Sequence, residues 1–255
     1  TLSVENSTIK ADQPIVVRKL SAGSYAVTID EASVLETSKD FQVVFTNGAD
    51  DAAYVIPVGT FAINDNNKFK VYPRNISEGV VYDGETFAVE SAEGLNWFAA
   101  YVNGGYNFAG KVVALAADVD LAGAEWTPVG TADNKFCGSF DGKEYTISNL
   151  VVENEGNGAM FAYVGANTVI KNLNLKDVDV KAKYAAALLA EANDNVAVEN
   201  ITVSGNVNGT AYAAGVVCLN SYSADPSISI KDCTNNATIT SQRAGGIGAW
   251  VTANS

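Results

Sequence analysis

The sequence predicts an all-β protein: a small antiparallel β-sandwich over residues 1–85, then a right-handed parallel β-helix over residues 86–255 with one capping α-helix. Three observations predict it. Short runs before residue 85 alternate apolar with polar residues, a single stretch of helical period follows, and beyond Lys111 blocks of sequence recur every 23 to 32 positions. The hand follows from the strong preference of parallel crossovers for the right-handed turn.

In the first part, Tyr25, Val27 and Ile29 alternate with Ala26 and Thr28, and Phe41, Val43 and Phe45 repeat the period of two that puts one strand face on a core. Turn chemistry separates such runs at Ser21–Ser24, at Thr46-Asn47-Gly48 and at Asn64-Asp65-Asn66-Asn67. Short strands at this spacing suggest a sandwich. The period changes after Val89: Leu95, Phe98, Ala99 and Val102 fall at i, i+3, i+4 and i+7 of a helix, with Ser91 as N-cap, Glu93 in the first turn and Gly104-Gly105 to end it.

Ile147-Ser148-Asn149-Leu150 recurs as Ile170-Lys171-Asn172-Leu173, as Val198-Glu199-Asn200-Ile201 and, more weakly, as Ile230-Lys231-Asp232-Cys233, with separations of 23, 28 and 32. A second block runs in step, led by Ala159, Ala187, Gly215 and Gly246 with separations of 28, 28 and 31. Units of this length with β-rich runs and no helical period fit the coils of a parallel β-helix. Stacked coils would align Leu150, Leu173, Ile201 and Cys233 as an internal column, and Asn149, Asn172, Asn200 and Asp232 as a ladder of amides that holds a bend. The helix is placed to cover the first coil. The last coil reaches Ala249-Trp250-Val251 with an unpaired edge, which further chain or a partner subunit would have to cover.

Composition narrows the chemistry. The 255 residues are 47% apolar, enough for one large or two modest cores. Sixteen Lys and Arg against 29 Asp and Glu leave a net charge of −13, the wrong sign for a nucleic-acid partner. Histidine is absent, which removes Ser-His-Asp and Cys-His hydrolases and imidazole metal sites. Catalysis would rest on carboxylates, Lys, Tyr or Cys. The longest uncharged apolar stretch, Tyr184–Ala190, falls far below the roughly 18 residues of a membrane span. A start at Thr1 without Met or an apolar leader suits a mature form and a trimmed chain alike. Cys137, Cys218 and Cys233 are odd in number and lack CxxC spacing, so free thiols are expected, with a Cys218–Cys233 bridge as the alternative.

Three stretches resemble the secreted and surface β-helix proteins with GLUG-type repeats found in Bacteroidetes and some Gram-positive bacteria. Leu95-Asn96-Trp97-Phe98 through Phe108–Val113 and Leu115–Leu121 look like the lead-in. Trp126–Thr131 and Gly138–Gly142 through Thr146–Leu150 look like the first coil. Gly215 and Gly246 before apolar residues are similar to the glycine-led motif. The resemblance covers roughly Phe87 to Ser255. Ala187 and Ala190 replace the glycines of one repeat, and Cys218 and Ala249 take the second glycine position of two others. It implies a surface location and a role in attachment.

Several constellations carry possible chemistry. Asp118 and Asp120 with Gly123 resemble the start of a calcium loop but lack the later ligands, so a strand end is the plainer reading and calcium the only cofactor considered. Phe140-Asp141-Gly142 reads as a turn. Asp177 and Asp179, two apart on one strand face near Lys171, Lys176, Lys181 and Lys183, are the candidate carboxylates of a glycan-cleaving face. Arg18, Arg74 and Arg243 are scattered and form no clamp. Tyr163, Tyr184, Tyr212, Tyr222 and Trp250 all belong to the coils and are the candidate ligand-binding aromatics. The expected function is a non-enzymatic surface or secreted protein in attachment or surface assembly, its partner a host or microbial surface protein or glycan. The alternatives are a carbohydrate-binding or polysaccharide-cleaving β-helix, and a phage or appendage subunit.

Overall fold

The computed structural model describes residues 79–82, 86–193, 195–220 and 228–250, the side chains of Tyr82 and Asn220 excepted, and the backbone alone of short strands between Leu2 and Pro73. It falls into two compact units, Thr1–Ile76 and Ser77–Ser255.

In the first unit the antiparallel pairing expected from the turn signals holds for Phe41–Thr46 with Ala52–Ile56 and for Thr60–Asp65 with Lys68–Pro73. It does not hold throughout. Leu2–Val4 pairs parallel with Val27–Ile29, Thr8–Lys10 with Val34–Glu36, and Ile15–Arg18 with Phe41–Thr46. Each parallel pair joins segments about two dozen residues apart, more than the dozen or so that a parallel crossover needs. Alternation of apolar residues reports that a strand exists and says nothing of its partner's direction. The packing of these strands as a sandwich lies outside the described residues.

The second unit is a parallel β-solenoid of about six turns. We number the coils by their described residues: coil 1 (86–111), coil 2 (112–138), coil 3 (139–168), coil 4 (169–193 and 195), coil 5 (196–220) and coil 6 (228–250). A hairpin of Val80–Tyr82 and Thr86–Val89 opens the stack, and from Thr86–Val89 onward the neighbours are parallel. Phe87, Val113, Phe140, Ile170, Val198 and Ile230 succeed one another in register, one per coil. All but Ile230 are buried to within 1%. A second interior column is Phe161, Leu189 and Val217. Each coil thus covers its apolar face with the next, the only cover a solenoid has.

The helix α1 (Ala92–Asn103) sits where its period placed it. Ser91 Oγ accepts the Gly94 N–H at 3.3 Å, and the Gly104 N–H returns to the Ala100 carbonyl at 2.8 Å. Leu95, Phe98, Ala99 and Val102 are buried. Phe98 enters the end of the coil stack, its ring centroid 5.2 Å from those of Phe108 and Phe136 and 5.8 Å from Phe140. At the helix end, Asn103 Oδ1 accepts the Gly130 N–H at 2.7 Å and Asn103 Nδ2 donates to the Pro128 carbonyl at 3.1 Å. These bonds clamp α1 to coil 2.

The coils bend where the backbone turns left-handed. Asn172 (φ 54°), Asn200 (φ 53°) and Asp232 (φ 50°) stand in register at one bend, since Lys171 pairs with Glu199 and Glu199 with Lys231. Side-chain bonds form the ladder: Asn172 Nδ2 donates to Asp141 Oδ1 at 3.0 Å and Asn200 Nδ2 to Asn172 Oδ1 at 3.1 Å. Asn149 does not belong to it. Ile147 pairs with Leu175 and not with Ile170, so Asn149 stacks below Asp177 at a second bend and donates to Asp120 Oδ1 at 2.7 Å. Leu150 leaves the Leu173–Ile201–Cys233 column with it. The spacing of 23 between the first two copies compares different places of their coils: Ile147 keeps the 28-residue beat with Leu175, and coil 3 is longer by two residues, taking four at the tight turn 142–145 where coil 4 takes Asn172 and Leu173.

Asn172 allows the ladder to be separated from the bend. Asn172→Gly removes the side-chain bonds and keeps the left-handed backbone, whereas Asn172→Ala loses both. Urea unfolding should show alanine the costlier of the two by about 1 kcal/mol, on top of roughly 1 kcal/mol for the shared hydrogen-bond loss. Equal costs would remove the bend from the explanation.

The three cysteines are free. Cys218 is fully buried and its thiol is pushed up to about 12 by desolvation, so it stays protonated. Cys233 belongs to the Ile201 column on another face, so the alternative bridge does not form. No helix among the described residues is long and apolar enough to cross a membrane.

Candidate functional site

The 28-residue beat aligns side chains on the outside of the coils as well as inside. In one outward column Asn157, Tyr184, Tyr212 and Arg243 stand in register on coils 3 to 6. Each of these strands ends in a turn of small residues, and the turns stack by backbone bonds: Met160 N–H to Ala187 O at 3.1 Å, Ala187 N–H to Gly215 O at 3.2 Å and Gly215 N–H to Gly246 O at 3.1 Å. After the turn, Tyr163, Glu191, Leu219 and Trp250 form a second column.

The two columns touch across the turn. Asn157 Nδ2 donates to Glu191 Oε2 at 2.9 Å, and the rings of Tyr212 and Trp250 meet edge to face at 5.2 Å. Beneath them, Tyr184 and Tyr212 cover a small apolar cluster of Ala159, Ala186, Ala190 and Cys218. Small side chains at the turn are what let the tyrosines lie down on the coil. The two tyrosine rings stack with centroids 6.0 Å apart and planes 29° apart. Lys183 Nζ lies 5.1 Å from the Tyr184 ring, and the Arg243 guanidinium 5.1 Å from the Tyr212 ring. A cation therefore flanks each ring of the pair. Tyr212 is 8% exposed and Trp250 40%. Burial raises the Tyr163 hydroxyl, and the Glu191 carboxylate raises it further.

Of the aromatics expected to bind ligand, then, the coil register unites Tyr184, Tyr212 and Trp250. Tyr163 lies in the second column, three coils from Trp250, and Tyr222 lies outside the described residues. Asn157, Glu191, Lys183 and Arg243 were not anticipated as part of this flank. The signal for Glu191 was present: Tyr163, Glu191, Leu219 and Trp250 repeat the separations of 28, 28 and 31 already seen in the turn block.

The candidate carboxylates do not share a strand face. Asp177 sits at a bend with φ 54°, which breaks the alternation that would have put it beside Asp179. Asp177 lies 3.9 Å from Lys176, and Asp179 3.2 Å from Lys181. Asp118 and Asp120 likewise do not converge. Asp118 Oδ1 accepts the Thr146 N–H of the next coil at 2.7 Å and Asp120 Oδ1 the Ala122 N–H at 2.8 Å, so each serves as a backbone acceptor. No group of three or more metal-ligating side chains occurs among the described residues.

The carboxyl groups with shifted affinity are moved toward the charged form. Asn149 and the Ala122 N–H lower Asp120. At Asp141, burial acts to raise the value, but bonds from the Asn172 amide and the Lys143 N–H and the Lys143 ammonium outweigh it, and the net shift is downward. Its contribution to stability is therefore complete above the unfolded value near 3.8 and is lost as pH falls through the lower folded value. Asp141→Asn should flatten the loss of stability below about pH 4, read from urea midpoints across a pH series. An unchanged slope would reject Asp141 as the group responsible.

These features define a helix-capped parallel β-solenoid with an aromatic and charged flank. No family model matches the chain, and no solved structure matches it. It is similar to a Gly-rich membrane protein of Evansella cellulosilytica, 30% identical over 122 residues, which are 46% of this chain and 14% of that protein. It is also similar to halomucin of Haloquadratum walsbyi, 26% identical over 203 residues, 77% of this chain and 2% of that protein. The chain thus spans a small fraction of the length of the curated relatives it matches.

Proposed function

We propose that this chain is a non-catalytic secreted or cell-surface β-solenoid of the GLUG-repeat type, serving in attachment or surface assembly. The observation that carries the reading is the two-column flank of coils 3 to 6, where aromatic, amide and charged side chains are held in fixed register along a rigid stack. Such an array suits recognition of an extended partner. Similarity to a membrane protein and to halomucin supports a surface setting.

The test is retention of the purified chain on immobilised host, microbial and plant glycans and surface proteins, with calcium and then with chelator, followed by chromatography of the glycan recovered. Retention with the glycan intact, unchanged in the Asp177→Asn/Asp179→Asn variant, is the expected result. A shortened glycan, with shortening abolished in that variant, would replace attachment by cleavage.

A further inference from the structure

We propose that the flank of coils 4 to 6 binds a glycan through separated acidic sugar residues, one whose carboxylate is taken by Arg243 and whose apolar ring face lies on Trp250, and another whose carboxylate is taken by Lys183 two coils away. The inference deepens the attachment reading and rests on it.

Its starting point is where the positive charge of these coils goes. Lys171 lies 3.6 Å from Asp141, Lys176 3.9 Å from Asp177, Lys181 3.2 Å from Asp179 and Lys231 3.8 Å from Glu199. Among the described residues of coils 4 to 6, Lys183 and Arg243 are the cations with no carboxylate within 4.0 Å. In a chain with 29 acidic and 16 basic residues, a cation left without a carboxylate is the exception. Both exceptions stand on the same aromatic pair, each 5.1 Å from a tyrosine ring. A ring face orients a cation without neutralising it, so the hydrogen-bond donors remain for an incoming anion.

The second observation is apolar. Trp250 is 40% exposed beside Tyr212 and within the same flank as Arg243. An exposed indole next to unneutralised donors matches a pyranose that carries a carboxylate: carbon-bound hydrogens on one face, an anion at the rim. Neighbouring coils lie about 4.8 Å apart, close to the length of one pyranose unit, so a short oligosaccharide can run along the flank with one ring per coil.

Charge also says what the ligand is not. The net charge of −13 and Glu191 on coil 4 oppose a densely charged polyanion. The two columns on coils 5 and 6, Tyr212 with Arg243 and Leu219 with Trp250, carry no carboxylate. A glycan with separated acidic residues satisfies both conditions. The carboxylate occurs on uronic acids and on sialic acids alike, and the probes below separate them.

Isothermal titration of the full chain with trigalacturonate and with 3′-sialyllactose, each against its uncharged counterpart (the methyl ester and lactose), tests the proposal. At least one acidic sugar should bind about tenfold or more tightly than its counterpart, and which of the two does so names the source. Arg243→Gln and Trp250→Ala should each weaken it about tenfold, and Lys183→Gln less. Lys176→Gln, a cation already paired with Asp177, should leave it unchanged. These side chains are exposed, and thermal melting of each variant confirms the fold. If the flank only stiffens the solenoid, Arg243→Gln shifts melting and not affinity, which overturns the proposal. Equal affinity for acidic and neutral sugars, or no binding of either acidic sugar, overturns it as well. Retention on other surface partners in that event leaves the attachment reading standing.

Discussion

Replacing Phe98 with alanine should lower the unfolding free energy of the solenoid by about 3–5 kcal/mol. The residue is fully buried, and its ring sits within about 6 Å, centroid to centroid, of Phe108, Phe136, Phe140 and Phe161. These neighbours come from coils 1, 2 and 3. Removing the ring therefore empties the point where the cap meets the stack, and rigid coils cannot collapse into the space. Phe98→Leu, which keeps most of the volume, should cost less than half as much. Guanidinium unfolding of the two variants provides the check: an alanine cost near 1 kcal/mol would mean that α1 lies against the coils without plugging them.

Gly205→Ala is expected to be the most damaging exchange of a glycine in the coils. Its φ is +118°, outside the left-handed pocket that Asn or Asp tolerates, and a Cβ there would stand 2.2 Å from the Val178 carbonyl oxygen and 2.3 Å from the Val178 nitrogen. Both atoms belong to the backbone of the coil below, so relief requires two coils to part. A loss of about 3 kcal/mol or more is expected, in the range of overpacking with backbone strain. Gly123 is the control: its φ of +72° is also left-handed, but nothing lies within 4 Å of an added Cβ. Gly123→Ala should cost about 1 kcal/mol. Similar melting temperatures for the two variants would show that coil spacing adapts at this bend.

Much of the second unit was legible in the sequence. The helix from Ser91 to Val102 followed from a cap and four apolar positions, because helix formation is local and its period is carried by consecutive residues. The turn block Ala159, Ala187, Gly215 and Gly246 was read with its separations intact, and the structure stacks these turns by direct backbone bonds. The ladder of Asn172, Asn200 and Asp232 was legible from its repeated neighbours, an apolar residue two before and another one after, although its separations are 28 and 32.

Register failed where two different bends carry the same short motif. Asn149 resembled Asn172 in its neighbours, yet coil 3 contains an additional tight turn, and the hydrogen-bonded partner of Ile147 is Leu175. Local likeness identifies the kind of bend, and only strand pairing identifies which bend. Asp177 and Asp179 failed by a related cause, since alternation holds only while the backbone stays extended and Asp177 turns left-handed.

The sequence by itself determined that coils exist, their approximate length, the helix that closes one end and the small residues at the turns, all of which depend on neighbours along the chain. The tertiary structure alone decided the flank. Tyr184, Tyr212, Arg243 and Trp250 lie up to 66 positions apart, and they meet because one strand pairs with the next in a register of 28 to 31 residues while the turn folds the second column back onto the first. That two cations there stand on rings and not beside carboxylates follows from side-chain reach between coils, a property of the packed stack that no stretch of the chain contains.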